Sequence, residues 1–304
     1  MDFSAVLDLY EDAKPFLVAV LLSLARPYAF ITYSQLLAPS AVPRMARTAA
    51  ILVITIPLVP VNIAFAAEFD MGVVNLVVLF AKEFAIGFIM GYLVSWVFWA
   101  IQSVGAFIDN QRGAAIAASV DPLQGHETSP LGILFSQAFV TYFFASGGFL
   151  LMLSLLYESY SFWPLARGVP LLIDEFPAMM LEVFDTGFRL MFVLAAPVIA
   201  IMFLAEFALA IVSRFAPQLQ VFILAMPIKS GIAILILIFY TGTLFDVARE
   251  HTLELSALFE RFYSILDTGS DILERFDFRD GTVTPATPEA GPQTGVPQTD
   301  EPDP

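Results

Sequence analysis

Six long apolar runs govern what this chain can fold into, at about 15–38, 46–67, 73–103, 130–157, 178–213 and 219–245. A helix crossing the hydrocarbon core of a bilayer needs roughly 20 mostly apolar residues. Lipid offers no hydrogen bonds, so backbone in it must be satisfied within a helix or a closed barrel. The runs are continuous and lack the alternation of barrel strands, so helices are the expectation. The third and fifth are too long for one straight span, and each fits either a tilted helix or a broken pair. With 14 Lys+Arg in 304 residues, the chain cannot dress itself in a hydrated surface. It belongs in a membrane or inside an assembly.

Breakers and small residues interrupt the runs. Pro27, Pro57, Pro60, Pro197, Pro217 and Pro227 each remove a backbone donor. Gly87 and Gly91 have the spacing that lets helix backbones approach closely, within one chain or between subunits. Ser146-Gly147-Gly148 is another small cluster. Arginine and lysine do not orient the chain. Arg44, Arg47, Arg112 and Arg214 fall in alternate connections, against Lys14, Arg167, Arg249 and Arg261 in the others. The acidic start lacks the positive region of a cleavable signal, so the first apolar run is expected to be retained. No internal repeat stands out.

Composition removes several function classes. There is no Cys, and His126 and His251 are the only histidines, which excludes thiolate and multi-His metal centres. The net charge of −15 argues against nucleic-acid binding. HExxH, Gly-x-Ser-x-Gly and P-loop patterns are absent. His126 in QGHETSP reads as a solvated loop residue, and no enzyme and no cofactor is expected.

Charges inside the runs include Arg26, Lys82, Glu83, Arg189, Glu206 and Lys229. Such charges face a partner or a wet cavity. They fit a substrate or proton path in a secondary transporter, or ion pairs between helices or subunits. Lys82 and Glu83 are adjacent and diverge by about 100° on a helix, so each is expected to seek another element rather than the other.

Two polar interruptions carry the most information. The first is Asp109-Asn110-Gln111-Arg112-Gly113, where Asp109 and Arg112 can pair on one turn and Gly113 can cap or break the helix. Asp121-Pro122 then starts a turn, and Ser129-Pro130 opens the next helix. The second runs from Glu206 through Arg214, Pro217 and Gln218 to Lys229. Each interruption is either an ordinary surface loop or backbone lining an enclosed passage.

The chain divides into a hydrophobic part at 1–245, an amphipathic charged segment at 246–280 and a tail at 281–304. Leu253, Leu255, Leu258, Phe259, Phe262, Ile265 and Leu266 recur at helical spacing, for docking on the chain's own core or on a partner. The Pro/Thr-rich acidic tail is expected to be disordered.

Several stretches, in order, resemble one family. Phe98-Trp99-Ala100-Ile101, Gly105-Ala106-Phe107-Ile108-Asp109-Asn110-Gln111-Arg112-Gly113-Ala114, Ser129-Pro130-Leu131-Gly132, Tyr157-Glu158-Ser159-Tyr160 with Trp163-Pro164, Arg214-Phe215-Ala216-Pro217-Gln218 and Pro227-Ile228-Lys229 are similar to the T component of the type III secretion export apparatus. They look more like its injectisome branch than its flagellar, FliR-like branch. The resemblance implies an all-α membrane protein of long, Pro/Gly-broken hairpins, built into a helical export gate in the bacterial inner membrane. It implies R and S components and the U component as partners, unfolded secreted proteins as cargo, lipid around it, and helices buried partly above the bilayer. On that reading Asp109, Asn110, Gln111, Arg112 and Gly113 form one intersubunit contact. Glu206, Arg214, Pro217, Gln218 and Lys229 form a second. The alternative is a stand-alone secondary transporter using Lys82, Glu83, Arg189, Glu206 and Lys229.

Overall fold

The structure, a computed structural model, describes residues 3–37, 42–68, 72–113, 129–168, 175–215, 221–277 and 282–283. Nine α-helices are present among them: α1 (Phe3–Tyr33), α2 (Arg44–Thr55), α3 (Val59–Glu68), α4 (Val73–Gln111), α5 (Pro130–Ala145), α6 (Gly148–Phe162), α7 (Glu175–Phe215), α8 (Val221–Leu253) and α9 (Leu255–Arg275). The only strands among the described residues are two-residue β1 (Phe276–Asp277) and β2 (Thr282–Val283), which pair antiparallel. The fold is all-helical as expected. Five helices or continuous helical stretches are long and apolar enough to cross a membrane, and a sixth if the bent pair α5–α6 counts as one span. The protein is a multi-pass membrane protein.

The third and fifth runs are unbroken. At 1.5 Å per residue, the 39 residues of α4 extend about 58 Å and the 41 residues of α7 about 61 Å, close to twice the hydrocarbon thickness. Pro197 sits inside α7 without ending it. The break falls instead in the fourth run, where α5 and α6 meet at 76°. Gly147 supplies that corner with φ +82, a conformation a side chain would resist. The second run stays one helical stretch. A 3-10 turn at Ile56–Leu58, holding Pro57, joins α2 to α3.

Helix α4 is the central element, packed along α1, α5 and α7. Its glycines mark the closest approaches. A Cβ on Gly87 would lie 2.3 Å from the Arg26 carbonyl oxygen, and one on Gly91 2.8 Å from that of Phe30. The Gly87/Gly91 pair is therefore filled by α1 of the same chain. The matching increments, 26 to 30 and 87 to 91, make α1 and α4 parallel. Further along, Gly105 lies against the backbone of Leu131 and Gly132 at the start of α5. The core around these contacts is aromatic: Phe98 packs on Phe139 and Phe143 with ring centroids 5.2 Å apart in both cases.

Helix α8 returns along α7 and continues past residue 245 to Leu253. Helix α9 carries on from α8 as one helical stretch, with Leu255, Phe259, Phe262, Ile265 and Leu266 buried and Leu258 half-buried, while Leu253 is exposed. Its apolar face docks on this chain's own core. The Asp121–Pro122 turn, His126, Pro217, Gln218 and the tail beyond Val283 lie outside the described residues.

Candidate functional site

A buried charge cluster sits where α1 and α4 cross. The side chains of Arg26 and Glu83 are fully buried and that of Lys82 is 1% exposed. Arg26 Nη2 lies 2.7 Å from Glu83 Oε2, and Nε donates to the same oxygen at 2.8 Å. The Lys82 ammonium lies 2.9 Å from Glu83 Oε1. Adjacent Lys82 and Glu83 thus do pair, against expectation. Their Cβ atoms diverge, but the flexible lysine stem reaches round to a carboxylate already fixed by Arg26. One carboxylate serves two cations, and the cluster carries a formal charge of +1.

The Tyr-Glu-Ser-Tyr and Trp-Pro residues complete the cluster. Arg26 Nη1 donates to Ser159 Oγ at 2.9 Å and Nη2 to the Trp163 carbonyl at 2.8 Å. The guanidinium lies 4.0 Å from the centroid of the Tyr160 ring. Lys82 Nζ donates to the carbonyls of Leu165 at 3.0 Å and Arg167 at 2.9 Å. Helical spacing puts Tyr157 and Tyr160 on one face of α6, and both repair freed backbone. Pro27 cannot donate to the Ser23 carbonyl, four residues back, and Tyr160 donates there at 3.3 Å. Tyr157 donates at 3.1 Å to the Ile54 carbonyl, beside the 3-10 turn. The sequence showed these residues only as a resemblance. No spacing rule links Arg26 to Ser159, which are 133 positions apart.

The first polar interruption holds a second knot. The Asp109–Arg112 pair forms as expected, with Oδ1 to Nη2 at 2.6 Å. Asp109 Oδ2 also accepts from Ser129 Oγ at 2.5 Å and from Leu131 N at 2.8 Å. Ser129 Oγ in turn accepts from Gly132 N at 2.9 Å, capping α5 with Pro130 at its first turn. Asp109 thereby acts as a second cap, setting a carboxylate on a helix N-terminus. Its carboxylate is committed inside the chain. Gly113 ends α4 with φ +89, its α-carbon facing the Met226 side chain. Asn110 is exposed, while Gln111 and Arg112 are half-buried. Arg112 Nε is buried without an acceptor among the described residues.

The second interruption is only partly assembled. Lys229 Nζ lies 3.2 Å from Glu206 Oε2, joining α7 to α8. Arg214 is exposed in the last turn of α7 and makes no ion pair among the described residues. Arg189 is exposed on α7, away from the buried cluster. The transporter set Lys82, Glu83, Arg189, Glu206 and Lys229 therefore divides between a sealed cluster, an exposed arginine and a half-exposed pair. Among the described residues, no group of His, Asp or Glu is placed to hold a metal ion.

Residues 17–255 match the family of bacterial export proteins, family 1. The Yop proteins translocation protein T of Yersinia pestis is 44% identical over 171 residues, covering 56% of this chain and 66% of that protein. The secretion system apparatus protein SsaT of Salmonella typhimurium is 31% identical over 234 residues, covering 75% and 88%. The flagellar biosynthetic protein FliR of Bacillus subtilis is 31% identical over 169 residues, covering 55% and 65%. The match thus spans just under two thirds of the Yersinia relative's length.

Proposed function

The chain belongs to the bacterial export proteins, family 1, and on that premise we propose that it is a non-enzymatic subunit of the inner-membrane export gate of a type III protein secretion system, in the injectisome branch. Its partners are the R and S components, with which it forms the gate, and the U component. Its cargo is unfolded secreted protein. The observation that carries this reading is the ordered match over residues 17–255, joined by relatives named for translocation and secretion apparatus.

Two structural features support it. The strongest charges in the apolar segments are spent on holding helices together rather than lining a wet path. Helix α7 also presents Phe184, Phe188, Phe192, Phe203 and Phe207 outward, each at least 45% exposed, along a rod too long for one bilayer crossing. Apolar surface of that extent needs lipid or protein against it. Aromatic and Met side chains suit a seal that closes by dewetting and adapts to varied polypeptides. Energy for transport comes from other parts of the apparatus.

The half-buried Arg112, the exposed Asn110 and the exposed Arg214 are the residues we assign to contacts with other gate subunits. In a secretion-competent strain lacking its own copy, wild-type chain restores secretion and Arg112→Ala does not, with the variant chain still present in the membrane. Normal secretion by Arg112→Ala from an intact apparatus contradicts the assignment.

A further inference from the structure

The loop joining α6 towards α7, residues 163–168, touches two systems at once. Its inner side supplies the carbonyls of Trp163, Leu165 and Arg167 to the buried cations Arg26 and Lys82. Its outer side meets α9. The Arg167 guanidinium donates to Asp267 Oδ1 at 2.8 Å and to the Phe162 carbonyl at 3.1 Å, and lies 4.5 Å from the centroid of the Trp163 ring. Next to it, the Tyr263 ring of α9 stacks on Phe162 at 4.5 Å with the planes 11° apart. Tyr263 also donates to the Leu155 carbonyl at 3.1 Å.

The loop is also bonded to itself. Trp163 Nε1 donates to the Gly168 carbonyl at 3.1 Å, and Arg167 N to that of Pro164 at 3.1 Å, so it is closed by its own bonds. Trp163 and Leu165 are each 2% exposed. A loop so bonded cannot shift outward without withdrawing acceptors from Lys82 and Arg26.

We propose that Arg167 is a positioning residue that couples the C-terminal helix α9 to the buried Arg26–Glu83–Lys82 cluster, so that displacement of α9 loosens the α1–α4 crossing and the reverse. This lies beyond the gate assignment and depends only on this chain's contacts. The outer ion pair is part-exposed, at 33% for Arg167 and 64% for Asp267. Such a pair holds weakly and can be released without unfolding the helix beneath it. A partner that grasps the segment after α9 thereby acts on a helix crossing inside the apolar body. Equilibrium coupling must act in both directions.

The test is amide hydrogen exchange on the full chain in mild detergent, comparing wild type with Lys82→Met, Asp267→Asn, Arg167→Ala and Arg167→Lys. Lys82→Met perturbs the loop from inside and leaves Arg26 and Glu83 as a neutral pair. We expect it to raise exchange in residues 163–168 and in α9 by about tenfold, in the range of ordinary coupling energies. Asp267→Asn and Arg167→Ala raise exchange in the loop and in α1 and α4 around Arg26 and Lys82, while Arg167→Lys stays near wild type. Exchange around Glu206 and Lys229 stays unchanged throughout. The proposal is overturned if Lys82→Met leaves α9 at the wild-type rate. It is equally overturned if Asp267→Asn loosens α9 alone, or if exchange rises uniformly across α7 and α8.

Discussion

Replacing Glu83 by Gln should be the most damaging conservative change in this protein, and its damage should depend on Lys82. Among the described residues the carboxylate is the only counter-charge for Arg26 at 2.7 Å and Lys82 at 2.9 Å, in a site with no solvent access at Glu83. Removing one member of a buried ion pair costs about 3–5 kcal/mol, because the survivor is stranded. Glu83→Gln strands two cations and belongs at or above the top of that range. Lys82→Met restores a one-to-one pair. Its cost is the donor lost by the Leu165 and Arg167 carbonyls, about 1–3 kcal/mol each when water cannot replace it. Part is offset because a surplus cation no longer has to be desolvated. Adding Lys82→Met to Glu83→Gln should therefore cost less than the sum of the two, by about 1–3 kcal/mol, the usual size for groups in one network. The assay is reversible unfolding of the full chain in mixed micelles by a rising fraction of denaturing detergent, followed by tryptophan fluorescence. Additivity within about 0.5 kcal/mol, or a Lys82→Met penalty equal to that of Glu83→Gln, would refute the reading of one carboxylate shared by two cations.

Three further changes separate packing from backbone geometry in the same assay. Gly105→Ala forces a Cβ to within 2.6 Å of the Leu131 carbonyl oxygen and the Gly132 nitrogen, so it should cost about 1–3 kcal/mol as overpacking against backbone. At Gly147 a Cβ meets nothing within 4 Å, so Gly147→Ala should cost only the left-handed backbone penalty, about 1–2 kcal/mol; a larger loss would mean that the corner is packed. Ser129→Ala removes the cap of α5 and one donor to Asp109, and about 1 kcal/mol should be lost, read as a lowered unfolding midpoint.

The helical architecture was legible because run length and apolarity are local properties, and the Asp109–Arg112 pair because its spacing falls on one turn. The location of the bend was not legible. Length alone marks the third and fifth runs for breaking, yet neither Pro197 nor the small residues of α4 end a helix there. The fourth run breaks because Gly147 alone takes up a left-handed corner. Arg26 and Glu83 were visible as costly intramembrane charges, but their pairing depends on α1 and α4 running parallel with Gly87 against the Arg26 backbone. That register is a property of tertiary packing. Asp109 shows the same limit. Its chemistry was evident in the sequence, whereas its use as a second cap on α5 requires knowing that Ser129 returns to it across residues 114–128.

The gate assignment is tested most directly by the mass of the chain purified in mild detergent after co-expression with the R and S components of its own secretion system. One stable complex containing all three polypeptides is expected, lost in Arg112→Ala while the variant chain itself stays folded. A wild-type chain that remains a lone monodisperse species in the presence of both would contradict it.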